Sequence, residues 1–326
     1  VTDPETLVTI VIPTHDRPTF LNEAVASAQV VAANARALGH VEVLVVDNSS
    51  TPELTAEARR VAEHHGAHFT QSGNGPSVAR NAGVAASNSE FVAFLDDDDV
   101  LLPGHLTALL PVFDAHPGCA VAFGQLLLCD EVLEPVVDVA QPAGPFPSGE
   151  GFAFSIGTIV QPNTMVVRRS VFVGIGGFDE QSQRNEDWDL LMRIAAQHDI
   201  VGIETVVSRI RQHQGLRSTN RLTYAGWRDM IRESRVVEKR GLNLPARVRL
   251  TWRERYFGRF RLRGQSAYLA LCHAQDSLRD GHVADARWFV LGALWRSPLH
   301  AVRLAPRFRG DLVAIARGRT PEASAG

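Results

Sequence analysis

Three short apolar runs constrain this chain more than anything else in it. LVTIVIP (7–13), VEVLVVD (41–47) and FVAFL (91–95) are rich in β-branched residues, and each stops at a polar cluster. Continuous apolar runs of this length read as strands buried on both faces. Between them lie stretches of helical character at 18–37, 51–64 and 77–87, and another follows at 103–114. Strands alternating with helices predict βαβ units and an α/β fold with a mixed, mostly parallel sheet flanked by helices. Ligands on such sheets bind beyond the carboxyl ends of the strands. Those ends carry Thr14-His15-Asp16-Arg17, Asp47-Asn48-Ser49-Ser50, and the run Asp96, Asp97, Asp98, Asp99.

The four aspartates pose a physical question. Adjacent carboxylates repel, and burying them is costly unless a cation compensates. A solvated turn or helix N-cap would explain some of them. A divalent-cation site would explain all of them, and the convergence of three polar clusters favours it.

Beyond residue 120 the pattern is more mixed. The stretch 138–157 is rich in Gly, Pro and Ser and reads as a loop. TMVVRRSVF (164–172) reads as a strand, GGFDE (176–180) as a turn, and NEDWDLLMRIAAQ (185–197) as the start of a helix, with Leu190, Leu191, Ile194 and Ala195 at helical spacing. Residues 220–240 read as another helix, and the Arg-rich segment after Pro245 as helical. With 45% hydrophobic and 21% charged residues, the 326-residue chain has the composition of a globular protein with a sizeable core.

In order, VTIVIPTHDR, VEVLVVDNSS, NGPSVARNAGVAAS, FVAFLDDDDVLLP, GGFDE and NEDWDLLMR resemble the family 2 inverting glycosyltransferases of the GT-A fold. The resemblance covers roughly 7–215. It implies a GT-A type, Rossmann-like domain over 1–219, with a nucleotide-sugar half over about 1–118 and an acceptor half over about 119–219. A helical, Arg-rich C-terminal region would occupy 220–326.

The resemblance also assigns roles. It implies a Mn²⁺ or Mg²⁺ ion at Asp98, with Asp96 holding the ribose or assisting at the metal. It places Asp47 on the nucleoside, Pro13, Thr14 and Arg17 in the base-lining loop, and Arg80 against the base or phosphate. Asp97 is counted with the nucleotide-binding group. Asp187 is the expected catalytic base, with Glu186 as runner-up. Trp188 is a candidate to line the acceptor sugar, with a core position as the alternative. His213, in RIRQHQGLRST (209–219), is a candidate third metal ligand; His15 is read as a base-site or structural residue. The local alternative for Glu186 and Asp187 is an acidic first helical turn facing the helix dipole.

The implied partners are a nucleotide-sugar donor, UDP-sugar first and GDP- or dTDP-sugar after it, and a saccharide, lipid-linked or small-molecule acceptor. Two rivals stand beside this reading. One is a non-catalytic nucleotide-sugar-binding protein acting through its basic C-terminal region. The other is a nucleotidyltransferase, but PTHDRPTF offers no Gly-rich, Lys-bearing triphosphate loop.

Charge divides the chain. From Arg247 onward there are 15 basic and 6 acidic residues, a net +9, against −12 for the remainder. TWRERYFGRFRLRG (251–264) suits a packed helix or an anionic membrane surface; nucleic acid ranks last, since no recognised binding module is present. Three cysteines without CxxC spacing argue against a disulfide framework and fit a reducing compartment. No apolar run has spanning length, and VTDPETLVTIVIP lacks a signal-peptide pattern. The expected location is the cytoplasm, with peripheral attachment to the inner face of the membrane left open. Oligomeric state is not specified by the sequence.

Overall fold

In the computed structural model, residues 6–139, 141–149, 160–182, 185–212, 232, 270–271, 274–275, 277–278 and 281–317 are described. They fall into two compact units. The first begins as the apolar runs predict. β1 (Thr6–Thr14), β2 (His40–Asp47) and β4 (Phe91–Phe94) pair in parallel, with β3 (His68–Gln71) outside β2. The helices α1 (Pro18–Asn34), α2 (Pro52–His64) and α3 (Pro76–Ala86) connect them. Each has a proline in its first turn, where the missing N–H costs no hydrogen bond. Thr51 also caps α2, its hydroxyl accepting from the Leu54 N–H at 3.4 Å.

After β4 the chain turns through the aspartates into the two-residue β5 (Val100–Leu101), then α4 (His105–Ala115) and the long β6 (Cys119–Cys129). β7 (Pro135–Val139) and β8 (Gly144–Phe146) follow, so part of the stretch expected to be loop is strand. A 3₁₀ turn at Pro162–Thr164 leads into β9 (Met165–Arg168) and the short α5 (Arg169–Gly174). The predicted strand over 164–172 thus becomes a four-residue strand and a helical turn. α6 (Glu186–Ala195) and β10 (Asp199–Arg211) complete the unit.

The main path of the sheet runs β3-β2-β1-β4-β9-β6-β10-β5, with β7 on β6 and β8 on β10. The sheet is parallel from β3 to β4. It is mixed beyond, where β9 runs antiparallel to both β4 and β6 while β6 and β10 pair in parallel. The core lies mainly between the parallel strands and α1, α2 and α4, with Ile10, Ile12, Leu21, Val25, Val45 and Leu106 fully buried. On the other face α3 sits close to the sheet because of Gly83. A Cβ there would stand 2.4 Å from Val11 Cγ1. This close approach sets how far Arg80, one turn earlier, reaches across the strand ends.

The second unit contains α7 (Val283–Arg296), α8 (Pro298–Leu304), a 3₁₀ turn (Ala305–Phe308) and α9 (Arg309–Arg317). Ala286, Phe289, Ala293, Ala301, Phe308 and Ile315 form its buried core with residues of 270–278. The helices expected over 220–240 and 251–264 lie outside the described residues, apart from Arg232. No described helix is long and apolar enough to cross a membrane.

Candidate active site

Three strand ends and two helix starts meet at one edge of the parallel sheet. β1 ends at Thr14, β2 at Asp47, and β4 opens into the aspartate turn. That turn is tight, the Asp99 N–H donating to the Asp96 carbonyl at 3.1 Å. Successive carboxylates therefore leave it in different directions, and each finds different company.

Asp97 faces β1. It accepts from the Thr14 hydroxyl at 2.9 Å and from the His15 N–H at 3.3 Å, and Arg17 Nη1 lies 3.2 Å from its other oxygen. The same Nη1 donates to Asp98 Oδ2 at 2.8 Å. Arg17 is thus an internal cation between two buried carboxylates. Burial pushes the Asp97 pKa up to about 6, with Arg17 pulling it down and Asp98 raising it further. Asp99 points the opposite way, to Asn163 Nδ2 at 2.6 Å and to the Arg211 N–H at 2.7 Å. Asn163 also accepts from the Asp96 N–H at 2.9 Å, and Arg211 Nε donates to the Asp98 carbonyl at 3.0 Å. Asn163 and Arg211 clamp the turn from the far half of the sheet.

Asp96 faces α3. Arg80 Nη2 donates to its Oδ1 at 2.6 Å, while Nη1 of the same guanidinium donates to Glu186 Oε1 at 3.1 Å. Arg80 is 4% exposed. Burial opposes its charge, but Asp96 and Glu186 more than offset this and raise its pKa, so it remains a cation. Its Nε is buried with no hydrogen-bond partner among the described residues. The ring of Phe178 in the GGFDE turn lies 5.3 Å from the guanidinium carbon. Arg80 therefore joins the aspartate turn to the first turn of α6, where Asp187 follows Glu186. Burial, then the Glu186 charge, push the Asp187 pKa up to about 7, against the Trp188 N–H, which donates to its Oδ1 at 2.7 Å. That is the range of a general base working near neutrality.

The GGFDE turn holds α6 in place. Arg193 pairs with Asp189 at 2.7 Å and donates to the Ile175 and Gly177 carbonyls. Asn81, beside Arg80, exchanges two bonds with the Phe178 backbone, both 2.9 Å. Gly177 has φ +65°, and a Cβ there would stand 2.6 Å from Asn81 Oδ1.

The remaining expectations fare differently. Asp47 is wholly buried, and its oxygens already accept from the Ser49 and Thr55 hydroxyls at 2.5 and 2.7 Å. With the Ser49 N–H, three donors reach Asp47, so a carboxylate with about four acceptor positions keeps room for one more bond. A hollow of about 630 Å³ opens on the outer side of that turn, lined by Ser49, Thr51, Thr55, Arg59 and Gln71 among others. His15 Nδ1 bonds the Asn48 carbonyl at 2.7 Å, tying the ends of β1 and β2 together. Trp188 is 2% exposed and packs in the core, the second of the two positions that the sequence allowed it. His213 and the segment 251–264 lie outside the described residues. Asn163, Asn81 and the structural role of Arg211 were not anticipated. Their partners are 64 to 188 residues away, so no local pattern announces them.

Among the described residues, no three His, Cys, Asp or Glu side chains converge into a ready metal cage. The donor chemistry still fits a hard cation. Asp96 and Asp98 are oxygen donors, and Mg²⁺ in particular is commonly held by one or two carboxylates plus substrate phosphates.

A family model described as glycosyl transferase family 2 matches residues 9–174, just over half of the chain. The chain belongs to glycosyl transferase family 2. A second model, glycosyltransferase like family 2, matches 152–245. A pre-mycofactocin glycosyltransferase of Mycobacterium tuberculosis is 30% identical over 202 residues, covering 57% of this chain and 38% of that protein. An uncharacterized glycosyltransferase of Haemophilus influenzae is 22% identical over 192 residues, covering 58% and 62%. The chain thus spans less than two thirds of the length of these relatives. Among solved structures, S. aureus TarS 1–349 superposes with a TM-score of 0.57 at 16% identity, covering 96% of this chain and 88% of that one. The mannosyltransferase PcManGT of Pyrobaculum calidifontis, solved with GDP-Man and Mn²⁺, gives 0.55 at 17%, covering 97% and 83%. At such identities the likeness is one of fold, and the fold is the family's mixed α/β sheet with a helical C-terminal extension.

Proposed function

We propose that this family 2 chain transfers a sugar from a nucleoside-diphosphate donor to an acceptor hydroxyl by direct displacement, with inversion at the anomeric carbon. One observation carries the reading: the Arg80 guanidinium bonds Asp96 on the donor side and Glu186 on the base side at once. It brings the aspartate turn and Asp187 to one edge of the sheet. An activated sugar held there would present its anomeric carbon between leaving group and base.

In the proposed step the acceptor oxygen attacks the anomeric carbon, the bond from that carbon to the diphosphate oxygen breaks, and the hydroxyl proton passes to the Asp187 carboxylate. Inversion follows from a single displacement. Asp187 suits the role because its raised pKa makes the carboxylate a stronger proton acceptor than an exposed aspartate. Arg80, with its unsatisfied Nε, supplies positive charge where the diphosphate leaves. Asp96 and Asp98 would hold Mn²⁺ or Mg²⁺, which when bound would stabilise charge on the departing diphosphate. Thr14, Arg17, Asp47 and Asp97 would line the nucleoside side. Solved structures of similar fold hold UDP, UDP-GlcNAc or GDP-Man, so the base is left to experiment, with UDP tried first.

The test is calorimetric titration of UDP, GDP and dTDP into the protein with Mn²⁺ and with EDTA, repeated on Asp98→Ala. Metal-dependent binding of one nucleotide, lost in the variant, supports the donor site. Hydrolysis or transfer of the matching nucleotide-sugar that disappears in Asp187→Asn, with nucleotide binding intact, supports catalysis. Binding without any Asp187-dependent turnover would favour a nucleotide-sugar-binding protein. No binding of any nucleotide by folded protein would refute the reading.

A further inference from the structure

The helix α7 is apolar on both sides. Its inward face places Ala286, Phe289 and Ala293 in the core of the second unit. Its outward face carries Trp288, Leu291 and Trp295, spaced to share one side of a helix, with Leu294 beside them. All four are exposed, Trp295 at 70%. α8 continues the surface with Leu299 and Val302, each 65% exposed. Of the twelve large apolar residues exposed among the described residues, seven fall between 288 and 313. A helix in contact with water on one side normally carries polar residues there. Such a concentration marks an interaction surface rather than ordinary surface scatter.

The charge of the same segment selects the partner. Residues 281–317 contain six Arg, two Asp and no Lys or Glu, a net +4. Arg287, Arg303 and Arg309 are exposed in it. A symmetric dimer through this face would bring two like-charged surfaces together. An anionic bilayer offers opposite charge, and tryptophan is favoured at the level of its headgroups. The fourteen residues of α7 span only about 21 Å at 1.5 Å per residue, so the helix would lie in the plane of the surface rather than cross it.

We propose that the outward face formed by Trp288, Leu291, Trp295, Leu299 and Val302 docks the protein on an anionic lipid bilayer, with the neighbouring arginines on the headgroups. The inference concerns the second unit alone and does not depend on the catalytic reading. It is tested by flotation of the full chain with vesicles of phosphatidylglycerol and phosphatidylcholine, and with phosphatidylcholine alone. The chain is expected to float with the anionic vesicles, weakly or not at all with the neutral ones, and less as salt rises. Trp288→Gln/Trp295→Gln is expected to cut vesicle partitioning by about tenfold or more, since two large apolar anchors are lost. Leu299→Gln/Val302→Gln, a second exposed pair, is expected to weaken it in the same direction and serves if the first variant folds poorly. Undiminished flotation of folded variants would overturn the proposal, as would failure of the unaltered chain to bind anionic vesicles. A dimer dispersed by the tryptophan substitutions, with no vesicle binding, would assign the face to a second copy and overturn it too.

Discussion

Replacing Asp187 by Asn should remove activity and increase stability, and the two effects should have different pH dependences. Asp187 is pushed from 3.8 to about 7 by burial and by Glu186. A carboxyl group with a raised folded-state pKa favours its protonated form in the folded protein. It costs nothing below about pH 4, where both states are protonated. The cost grows between about pH 4 and pH 7 and is constant above. At 1.36 kcal/mol per pKa unit, the full rise is a ceiling of roughly 4 kcal/mol. The nearby Glu186 charge supplies part of that rise, so the whole ceiling does not belong to Asp187 alone. Asn keeps the shape without the charge and can still take the Trp188 N–H bond through its carbonyl. The expected gain is about 1–2 kcal/mol above pH 7, shrinking towards zero near pH 4, in line with that discount. Urea unfolding of both proteins at a series of pH values measures it. Sugar transfer by the variant should fall about 10²–10⁴-fold, the usual contribution of a general base. In the unaltered protein kcat/KM should rise with pH and level off above about 7. A variant that is less stable at every pH, or a gain that does not vary with pH, would refute the claim that Asp187 is held against its charge.

Arg80→Gln should destabilise the first unit by roughly 2–4 kcal/mol, because it strands Glu186 and Asp96 beside Asp187; the one-third exposure of Asp96 keeps the figure below that of a fully buried pair. Unfolding midpoints measure it, and an unchanged midpoint would mean that the two ion pairs carry no net stability. Arg17→Gln should tighten Mn²⁺ binding to nucleotide-free protein by about three- to tenfold, since it removes the cation now on Asp98, a partly exposed pair worth on the order of 1 kcal/mol. A Mn²⁺ titration followed by electron paramagnetic resonance reads this directly, and weaker binding would show that Arg17 supports the site instead of competing for it. Gly83→Ala should cost about 1–3 kcal/mol, because the new methyl group would collide with Val11 and press on Val46. A neutral result would mean that α3 can lift from the sheet without penalty.

The sequence announced the strands whose side chains are buried on both faces and missed those whose pattern is broken. The runs at 7–13, 41–47 and 91–95 match β1, β2 and β4 within a residue at each end, because a continuous apolar stretch has no register to misread. β10 is longer than any of them and was not anticipated. Its pairing with β6 slips between Gly202 and Val206 and again before Ser208, and exposed Glu204 and Thr205 interrupt its apolar face, so neither alternation nor a continuous run survives. The site shows the same division. The family resemblance grouped the aspartates, Arg80 and Glu186-Asp187 in one reading, and the fold brings them to one edge of the sheet. Order alone could not say which aspartate does what, since four identical residues in a row carry identical local signals. Their differences are made by distant partners: Arg80 for Asp96, Thr14 and Arg17 for Asp97, Arg17 again for Asp98, and Asn163 with the Arg211 backbone for Asp99. The backbone turn separates the carboxylates, and each is then defined by the element it meets. Asp99 braces the turn, while Asp96 and Asp98 meet positive charge that a ligand or cation can share or displace.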